Sequence, residues 1–386
     1  MAKLLVTALL ATFWHISNVA AIPTSNDFQH PSNGVCTRYT VREEVASSDP
    51  VWGLPKFQDN YDVMSFLVNF SRKDSATAFH PISGYQNVTK TYEVAGTFCT
   101  PTSPKNGKEK TVLLASHGIW YDGRYWASSY KPDEYNFVQY ALANGYSIFY
   151  YDRVGVGKSE KVSGYEISAS SQVELLVKIT RSVRAGKYTS DITASKVVLV
   201  GHSFGSYISH AGIAKYPDLA EGAVLTGTAY ANATDAIPFA ISFISFAPRL
   251  ATTVNPPFDR DSGYLGFGDI YAHTSAFFHE PYDIPTIEYA QSIYQPAAVL
   301  EFVSLTSLNL NASAFKGKVL VTTGEFDFPA CGGECKSTYQ GGVADLLFSG
   351  TKPETYIHPG AGHGVNFAAN ATGFFGRIVA FLDGNF

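Results

Sequence analysis

The ten residues 196–205 have the sequence Lys-Val-Val-Leu-Val-Gly-His-Ser-Phe-Gly, in which an apolar run leads into a serine between two glycines. The run Val197–Val200 is typical of a buried strand, and a helical pattern begins at Gly205 and ends before Pro217. Small residues are needed on both sides of Ser203, because the chain turns very tightly from strand to helix there. Such a turn raises the serine hydroxyl above the edge of the sheet. The segment therefore predicts that Ser203 is a nucleophile.

Apolar runs alternate with helical patterns on both sides of this segment. The other apolar runs are Thr111–Ser116, Tyr146–Tyr151, Ala223–Leu225, Val319–Thr322 and Tyr356–Ile357. Helical spacing is found at Glu134–Asn144, Gln172–Ala185 and Val365–Asp383. Buried strands that alternate with helices predict an α/β fold, in which helices flank both faces of a mostly parallel sheet.

The interval 230–315 interrupts this alternation, because it is rich in Phe, Tyr and Pro and lies between two predicted strands. We interpret it as a largely helical insertion that forms a lid over the sheet. A separate small domain is the alternative, but neither end has a flexible linker. Residues 110–229 and 316–386 then form the core, and residues 22–109 hold a loose leader followed by antiparallel strands.

The first 21 residues have the pattern of a secretory signal peptide. Lys3 supplies a positive charge, Leu4–Trp14 is a short apolar run, and Val19 and Ala21 have the spacing of a cleavage site. A membrane anchor is the alternative, but a spanning helix needs roughly 20 apolar residues. The sequence therefore predicts a secreted chain without a stable membrane span.

Two further features agree with export. Asn-X-Ser/Thr sequons, the acceptor sites for N-glycans, occur at Asn69, Asn87, Asn232, Asn311 and Asn370. The four cysteines suggest two disulfides, for which three pairings are possible. We favour Cys36–Cys99 and Cys331–Cys335, since each pair lies within one local region. A metal site at Cys331 and Cys335 is disfavoured, because no His stands beside them at ligand spacing.

The composition excludes several functional classes. Hydrophobic residues make up 45% and charged residues 16%, which indicates a globular chain rather than a disordered one. The net charge is -5 and no run of Lys or Arg is present, so no nucleic-acid partner is expected. The segment 157–159 resembles the end of a phosphate-binding loop, but Asp152 stands where that motif needs Gly. No metal-binding or cofactor-binding motif is present, and none of these groups is expected.

A serine hydroxyl needs a base within hydrogen-bond reach, and His363 is the candidate. Its neighbours are Gly360, Ala361, Gly362 and Gly364, which allow a tight loop after the last predicted strand. That loop can bring the imidazole over the sheet. His358 is the competing histidine.

A carboxylate must orient the imidazole and stabilise its charged form. Asp327 lies just past the strand Val319–Thr322 and is the favoured residue. Glu325 is an alternative because strand ends are uncertain by a few residues, and Asp235, after the preceding strand, is a second alternative.

Acyl transfer also needs hydrogen-bond donors for the oxyanion that develops during the reaction. The backbone N–H of Phe204, directly after the nucleophile, is one expected donor. The other is expected in the loop after the first parallel strand, where Gly118 allows the backbone to approach the substrate closely. The N–H of Ile119 is the best candidate there.

In their order along the chain, these pieces resemble serine esterases and lipases of the α/β-hydrolase family. The matching pieces are His117-Gly118, the segment Asp152 to Ser159, the turn around Ser203, then Asp327, then His363. The resemblance covers roughly residues 110–383. It implies an eight-stranded, mostly parallel sheet with a cap after the sixth strand.

Two departures from the family are informative. Epoxide hydrolases and haloalkane dehalogenases of this fold carry Asp at the nucleophile position, and Ser203 argues against both activities. The pair Cys331 and Cys335 is not a general family feature, and we hypothesise that it braces the loop that carries Asp327.

These features predict a carboxylic-ester hydrolase that forms an acyl-enzyme. The aromatic insertion suggests an apolar, small-molecule ester or lipid-like substrate. Transfer of the acyl group to an alcohol or amine, lactonase, lipase or peptidase activity, and a non-catalytic ligand-binding role are the alternatives. The complete set of Ser203, Asp327 and His363 argues against the last of these. The sequence does not define the oligomeric state.

Overall fold

The computed structural model describes residues 30–230 and 244–386. The predicted signal peptide at residues 1–21, the sequon at Asn232 and the alternative acid Asp235 lie outside these described residues. No helix in the described parts of the chain is both long and apolar enough to cross a bilayer.

Within those parts, eleven strands form two sheets. The strands are β1 (Gly34–Trp52), β2 (Ile82–Pro101), β3 (Thr111–Ser116), β4 (Ser147–Tyr151), β5 (Lys196–His202), β6 (Gly222–Thr226), β7 (Arg249–Leu250), β8 (Tyr264–Gly266), β9 (Ala297–Ala298), β10 (Lys318–Gly324) and β11 (Glu354–His358). The large sheet has the order β1-β2-β4-β3-β5-β6-β10-β11. Its last six strands in this order, which are β4, β3, β5, β6, β10 and β11, are parallel to one another. The predicted mostly parallel, eight-stranded sheet is therefore confirmed.

Helices flank this sheet. Those in the described residues are α1 (Asn60–Phe70), α2 (Ser75–Ala78), α3 (Pro132–Tyr135), α4 (Phe137–Ala143), α5 (Ala169–Arg184), α6 (Phe204–Lys215), α7 (Ile270–Phe277), α8 (Ile284–Ile293), α9 (Val299–Ser304), α10 (Phe328–Cys331), α11 (Cys335–Gln340), α12 (Val343–Leu347) and α13 (Ala371–Asn385). Helix α5 packs against α6, and α13 packs against α4.

The central strands are mainly apolar because the sheet is covered on both faces. Every residue of β3, β4 and β6 is buried. A strand buried on both faces has a continuous apolar run instead of an alternating pattern, which is why the sequence predicted a parallel sheet.

The first two strands are much longer than the rest. β1 has 19 residues and β2 has 20, and they pair antiparallel from Gly34 and Pro101 onward. Only Gly96 to Cys99 of β2 pairs with β4, so the remainder of the ribbon extends beyond the sheet. A disulfide joins Cys36 to Cys99 across this ribbon. The antiparallel strands expected before residue 110 are thus present.

The described part of the insertion lies between β6 and β10. It contains α7, α8 and α9, together with a small antiparallel sheet of order β7-β8-β9. We expected a largely helical segment, and the small sheet was not anticipated. Its strands have only two or three residues each, which is too short for a sequence period to reveal.

Candidate active site

Ser203 stands on the turn between β5 and α6. Its φ of 52° and ψ of -119° are unusual for a residue with a side chain, and its N–H donates to the Thr226 carbonyl (2.8 Å). A Cβ at Gly205 would collide with the carbonyl oxygen of Ser116, and one at Gly201 would collide with the backbone of Ser206. The two glycines are therefore required by contacts that the turn makes with its neighbours.

Asp327 and His363 form a buried pair. Asp327 lies just after β10, His363 lies in the loop after β11, and their side chains are joined by a 2.7 Å hydrogen bond between Oδ2 and Nδ1. The side chains of both are at most 3% exposed. The carboxylate also accepts hydrogen bonds from the Ala330 N–H (2.8 Å, to Oδ1) and the Thr323 hydroxyl. The Asp327 carboxylate is thus held in one orientation by residues near it in the chain.

The alternative acid and base lie in other surroundings. Glu325 forms an ion pair with Lys336 (2.6 Å) and accepts from the Gly360 N–H. The hydrogen bond from Lys336 lowers the pKa of Glu325 below its ordinary value. His358 ends β11, where its Nδ1 lies 3.3 Å from the Tyr356 hydroxyl. Neither Glu325 nor His358 borders the cavity at Ser203.

One cavity of about 50 Å³ contains the predicted nucleophile, base and donor residues together. Its lining is otherwise mainly aromatic and aliphatic, with contributions from the insertion. The lining residues are Ile119, Trp120, Ser203, Phe204, Tyr207, Gly227, Phe246, Phe277, Phe302, Leu305, Pro329, Ala330 and His363. Phe277 of α7 packs edge-to-face on the His363 ring at 4.8 Å.

The loop after β3 comes close to the nucleophile. A Cβ at Gly118 would lie 3.0 Å from the Cβ of Ser203, so only glycine gives this loop its position without strain. The preceding His117 accepts a hydrogen bond from the Arg153 N–H at Nε2 (3.0 Å). Its Nδ1 therefore carries the proton and donates to the Gly118 carbonyl (2.8 Å). Burial lowers the pKa of His117 well below its ordinary value, which keeps the ring neutral.

Residues of the insertion contact this loop directly. The Trp120 carbonyl accepts from the Gln295 N–H (2.8 Å), and the Trp120 ring packs on Phe267 at 4.7 Å. The hydroxyl of Tyr121 lies 2.8 Å from His273 Nε2 of α7. These contacts join residues that are distant in the chain, with Tyr121 and His273 152 positions apart, so no local sequence pattern marks them.

A second disulfide, Cys331–Cys335, lies beside the acid. The Cys331 sulfur is 3.3 Å from the Asp327 carbonyl oxygen, and the Cys335 N–H donates to the Glu325 carbonyl (3.3 Å). The structure therefore contains both favoured cysteine pairs, and this one contacts the loop on which Asp327 stands.

Comparisons with known proteins identify a family and solved structures with the same fold. A sequence model of the alpha/beta hydrolase family matches residues 112–374. The chain is similar to a thermophilic esterase from Thermogutta terrifontis, with a TM-score of 0.53, 18% identity, and coverage of 80% of this chain and 96% of that chain. No curated protein sequence matches it.

Two further solved structures share the fold. The esterase from Exiguobacterium antarcticum has a TM-score of 0.54 and 13% identity, with 76% of this chain and 96% of that chain covered. The enol-lactonase from Burkholderia xenovorans LB400 has a TM-score of 0.52 and 16% identity, with 76% of this chain and 97% of that chain covered.

Proposed function

Because the chain belongs to the alpha/beta hydrolase family, we propose that it is a serine hydrolase that cleaves carboxylic esters through an acyl-enzyme. The observation that carries the proposal is that Ser203 and His363 line one apolar cavity, while His363 is hydrogen-bonded to the buried Asp327. These residue types in this arrangement are suited to nucleophilic acyl transfer.

The proposed reaction proceeds in two halves. Ser203 attacks the ester carbonyl carbon while His363 takes the hydroxyl proton at Nε2, and Asp327 stabilises the charged ring through Nδ1. The N–H groups of Ile119 and Phe204 donate to the oxyanion. His363 then gives the proton to the departing alcohol. In the second half, His363 activates water, which attacks the acyl carbon and releases the acid from Ser203.

The size and lining of the cavity support a substrate with a short apolar acyl group. Its volume of about 50 Å³ is smaller than the roughly 150 Å³ cavity that accommodates benzene in another protein. The aromatic residues Phe246, Phe277 and Phe302 line this cavity and give it an apolar surface that suits an apolar acyl group. Acetyl and butyryl esters are therefore expected to react faster than palmitoyl esters.

We also propose that the protein is secreted as a glycoprotein. The side chains of Asn87, Asn311 and Asn370 are exposed, and both cysteine pairs are disulfide-bonded. These features suit an oxidising, glycosylating route. Expression of the full chain in a eukaryotic secretory host tests the proposal. The medium should contain a protein that begins at Ile22 and loses mass on treatment with an N-glycosidase, whereas retention of residues 1–21 would contradict it.

The activity test combines covalent labelling with turnover. The purified protein is treated with a fluorescent fluorophosphonate and, in parallel, with p-nitrophenyl esters of increasing acyl length. Ser203→Ala and His363→Ala are the test variants, and Ser275→Ala, an exposed serine on α7, is the matched control. Labelling and turnover should both require Ser203 and be unchanged in the control.

Product analysis separates hydrolysis from the other acyl-transfer reactions. Added short alcohols would appear as new esters if the acyl-enzyme reacted with acceptors in preference to water. A wild-type protein that neither labels nor turns over any ester would contradict the hydrolase proposal in favour of a ligand-binding role.

A further inference from the structure

A buried arginine joins the insertion to the loop after β3, which contains Gly118 and lies next to Ser203. Arg153 lies two residues after the end of β4, its side chain is 1% exposed, and its Nη1 forms an ion pair with the equally buried Glu301 of α9. Glu301 also accepts a hydrogen bond from Gln172 Nε2 of α5 (2.7 Å). A buried charge is costly unless it is paired, so these contacts fix the position of the guanidinium.

The same guanidinium reaches the carbonyl group of Gly118. Its Nη2 donates to that oxygen at 3.4 Å, and His117 Nδ1 donates to it at 2.8 Å. In a planar trans peptide the C=O and N–H bonds point in opposite directions. Two donors that hold the Gly118 oxygen on one side therefore direct the Ile119 N–H of the same peptide to the other side. Ile119 borders the cavity that contains Ser203.

Arg153 also contacts the residue that carries the second expected donor. Its guanidinium carbon lies 4.4 Å from the centroid of the Phe204 ring. This distance is within the range of a cation–π interaction, which is stronger in a site without water. One side chain thus contacts Phe204 and the Gly118 carbonyl, which belongs to the same peptide group as the Ile119 N–H.

We infer that Arg153 is the positioning residue of the oxyanion hole and that Glu301 makes this positioning depend on the insertion. The inference rests on the proposed acyl-transfer function. Hydrogen bonds to the Gly118 oxygen polarise the peptide group, so the Ile119 N–H becomes a stronger donor. The donors are then aligned before substrate arrives, which is the condition under which they stabilise an oxyanion most.

The central test removes the whole ion pair rather than one partner. The double variant Arg153→Met/Glu301→Leu leaves no unpaired buried charge, and such replacements commonly preserve stability. We expect its melting temperature to remain near that of the wild type. We expect kcat for p-nitrophenyl butyrate to fall about 10- to 100-fold with little change in KM, because the loss concerns the transition state.

A second measurement uses a butyl boronic acid, which forms a tetrahedral, anionic adduct with a serine nucleophile. Its inhibition constant should rise by the same factor as kcat falls, since both depend on the oxyanion donors. The matched control is Arg377→Met/Glu354→Leu, which removes a surface ion pair of the same residue types between α13 and β11. The control should keep the wild-type kcat and boronic acid affinity.

The outcomes are distinct. A folded Arg153→Met/Glu301→Leu variant with wild-type kcat and boronic acid affinity would overturn the inference, while the wild-type activity would still uphold the hydrolase. Absence of labelling and turnover in the wild type would instead reject the proposed function. Should the double variant fail to fold, Arg153→Lys decides. Lysine keeps the positive charge but lacks the planar guanidinium group that can donate to two partners at once. Both kcat and the affinity for the boronic acid should therefore fall together, and unchanged values would overturn the inference.

Discussion

Asp327 Oδ2 lies 2.7 Å from His363 Nδ1, although the two residues are 36 positions apart in the chain. Because the carboxylate can only accept a hydrogen bond, Nδ1 carries the proton and Nε2 is left with a lone pair. This tautomer is the one that can take a proton from a serine hydroxyl.

Asp327→Asn should therefore lower kcat roughly 10⁴-fold, because an amide can donate to Nδ1 and so favour the wrong tautomer. Glu325→Gln is the control, since Glu325 is bonded to Lys336 instead of His363. Steady-state kinetics on p-nitrophenyl butyrate measures both. If Glu325→Gln were the more damaging change, the acid would have to be reassigned.

Ser203→Gly should give a more stable protein than Ser203→Ala. The φ of 52° at this position strains any residue that has a Cβ, and only glycine relieves the strain. The expected difference in the free energy of unfolding is about 1 kcal/mol, after the greater freedom of glycine in the unfolded chain is subtracted. Urea titration of the two inactive variants measures it, and equal midpoints would show that the turn is relaxed.

Removal of Cys36–Cys99 should cost more stability than removal of Cys331–Cys335, whereas removal of Cys331–Cys335 should cost more activity. Cys36–Cys99 closes a separation of 63 residues and Cys331–Cys335 one of 4. Chain entropy predicts losses of about 4 and about 2 kcal/mol on removal to Ala pairs. The Cys331→Ala/Cys335→Ala protein should nevertheless lose more activity at a temperature where both are folded, because its bridge contacts the Asp327 loop. Unchanged kcat in that protein would argue against a bracing role.

Acid should destabilise the protein partly through His273. Burial lowers the pKa of this ring to about 4, while its Nε2 accepts from Tyr121 and its Nδ1 donates to Gln291. Above about pH 6.5 both the folded and the unfolded states hold a neutral ring. Between about pH 6.5 and 4 only the unfolded chain binds the proton, so stability falls as pH falls, by about 1.4 kcal/mol per pH unit.

The variant His273→Gln checks this expectation. Urea unfolding at several pH values between about 4.5 and 6 should give a slope that is smaller than the wild-type slope by the contribution of up to one proton. The pKa values of the buried His117, His202 and His210 are also lowered by burial, but these residues remain in both proteins, so the difference isolates His273. Identical slopes would mean that the ring is already charged in the folded state.

Much of the fold was predictable because short segments of the sequence determine the positions of its strands and turns. The two glycines beside Ser203 are required because the turn has no room for a Cβ at either position. The apolar run before Ser203 forms the buried strand β5. The segments that form β3, β4 and β6 are buried along their whole length and mainly apolar, because the sheet is covered on both faces. The loops that carry Asp327 and His363 follow strands directly, so their side chains were expected at one edge.

The contacts that support the site were not predictable in the same way. Arg153 and Glu301 are 148 residues apart, and each alone resembles an ordinary surface charge. Their burial depends on how the insertion packs, which no period in the sequence encodes. The length of β1 and β2 was also missed, because their exposed part has no continuous apolar run.

The order of the pieces along the chain has a consequence for biosynthesis. Ser203 is made first, then the insertion, and the strands β10 and β11, which precede Asp327 and His363, come last. Pairing β6 with β10 must close a loop of some 90 residues, and this closure carries an entropy cost that the folded insertion reduces. A growing chain therefore contains Ser203 before Asp327 and His363 have been made. The proposed acyl transfer can begin only when β10 and β11 have joined the sheet.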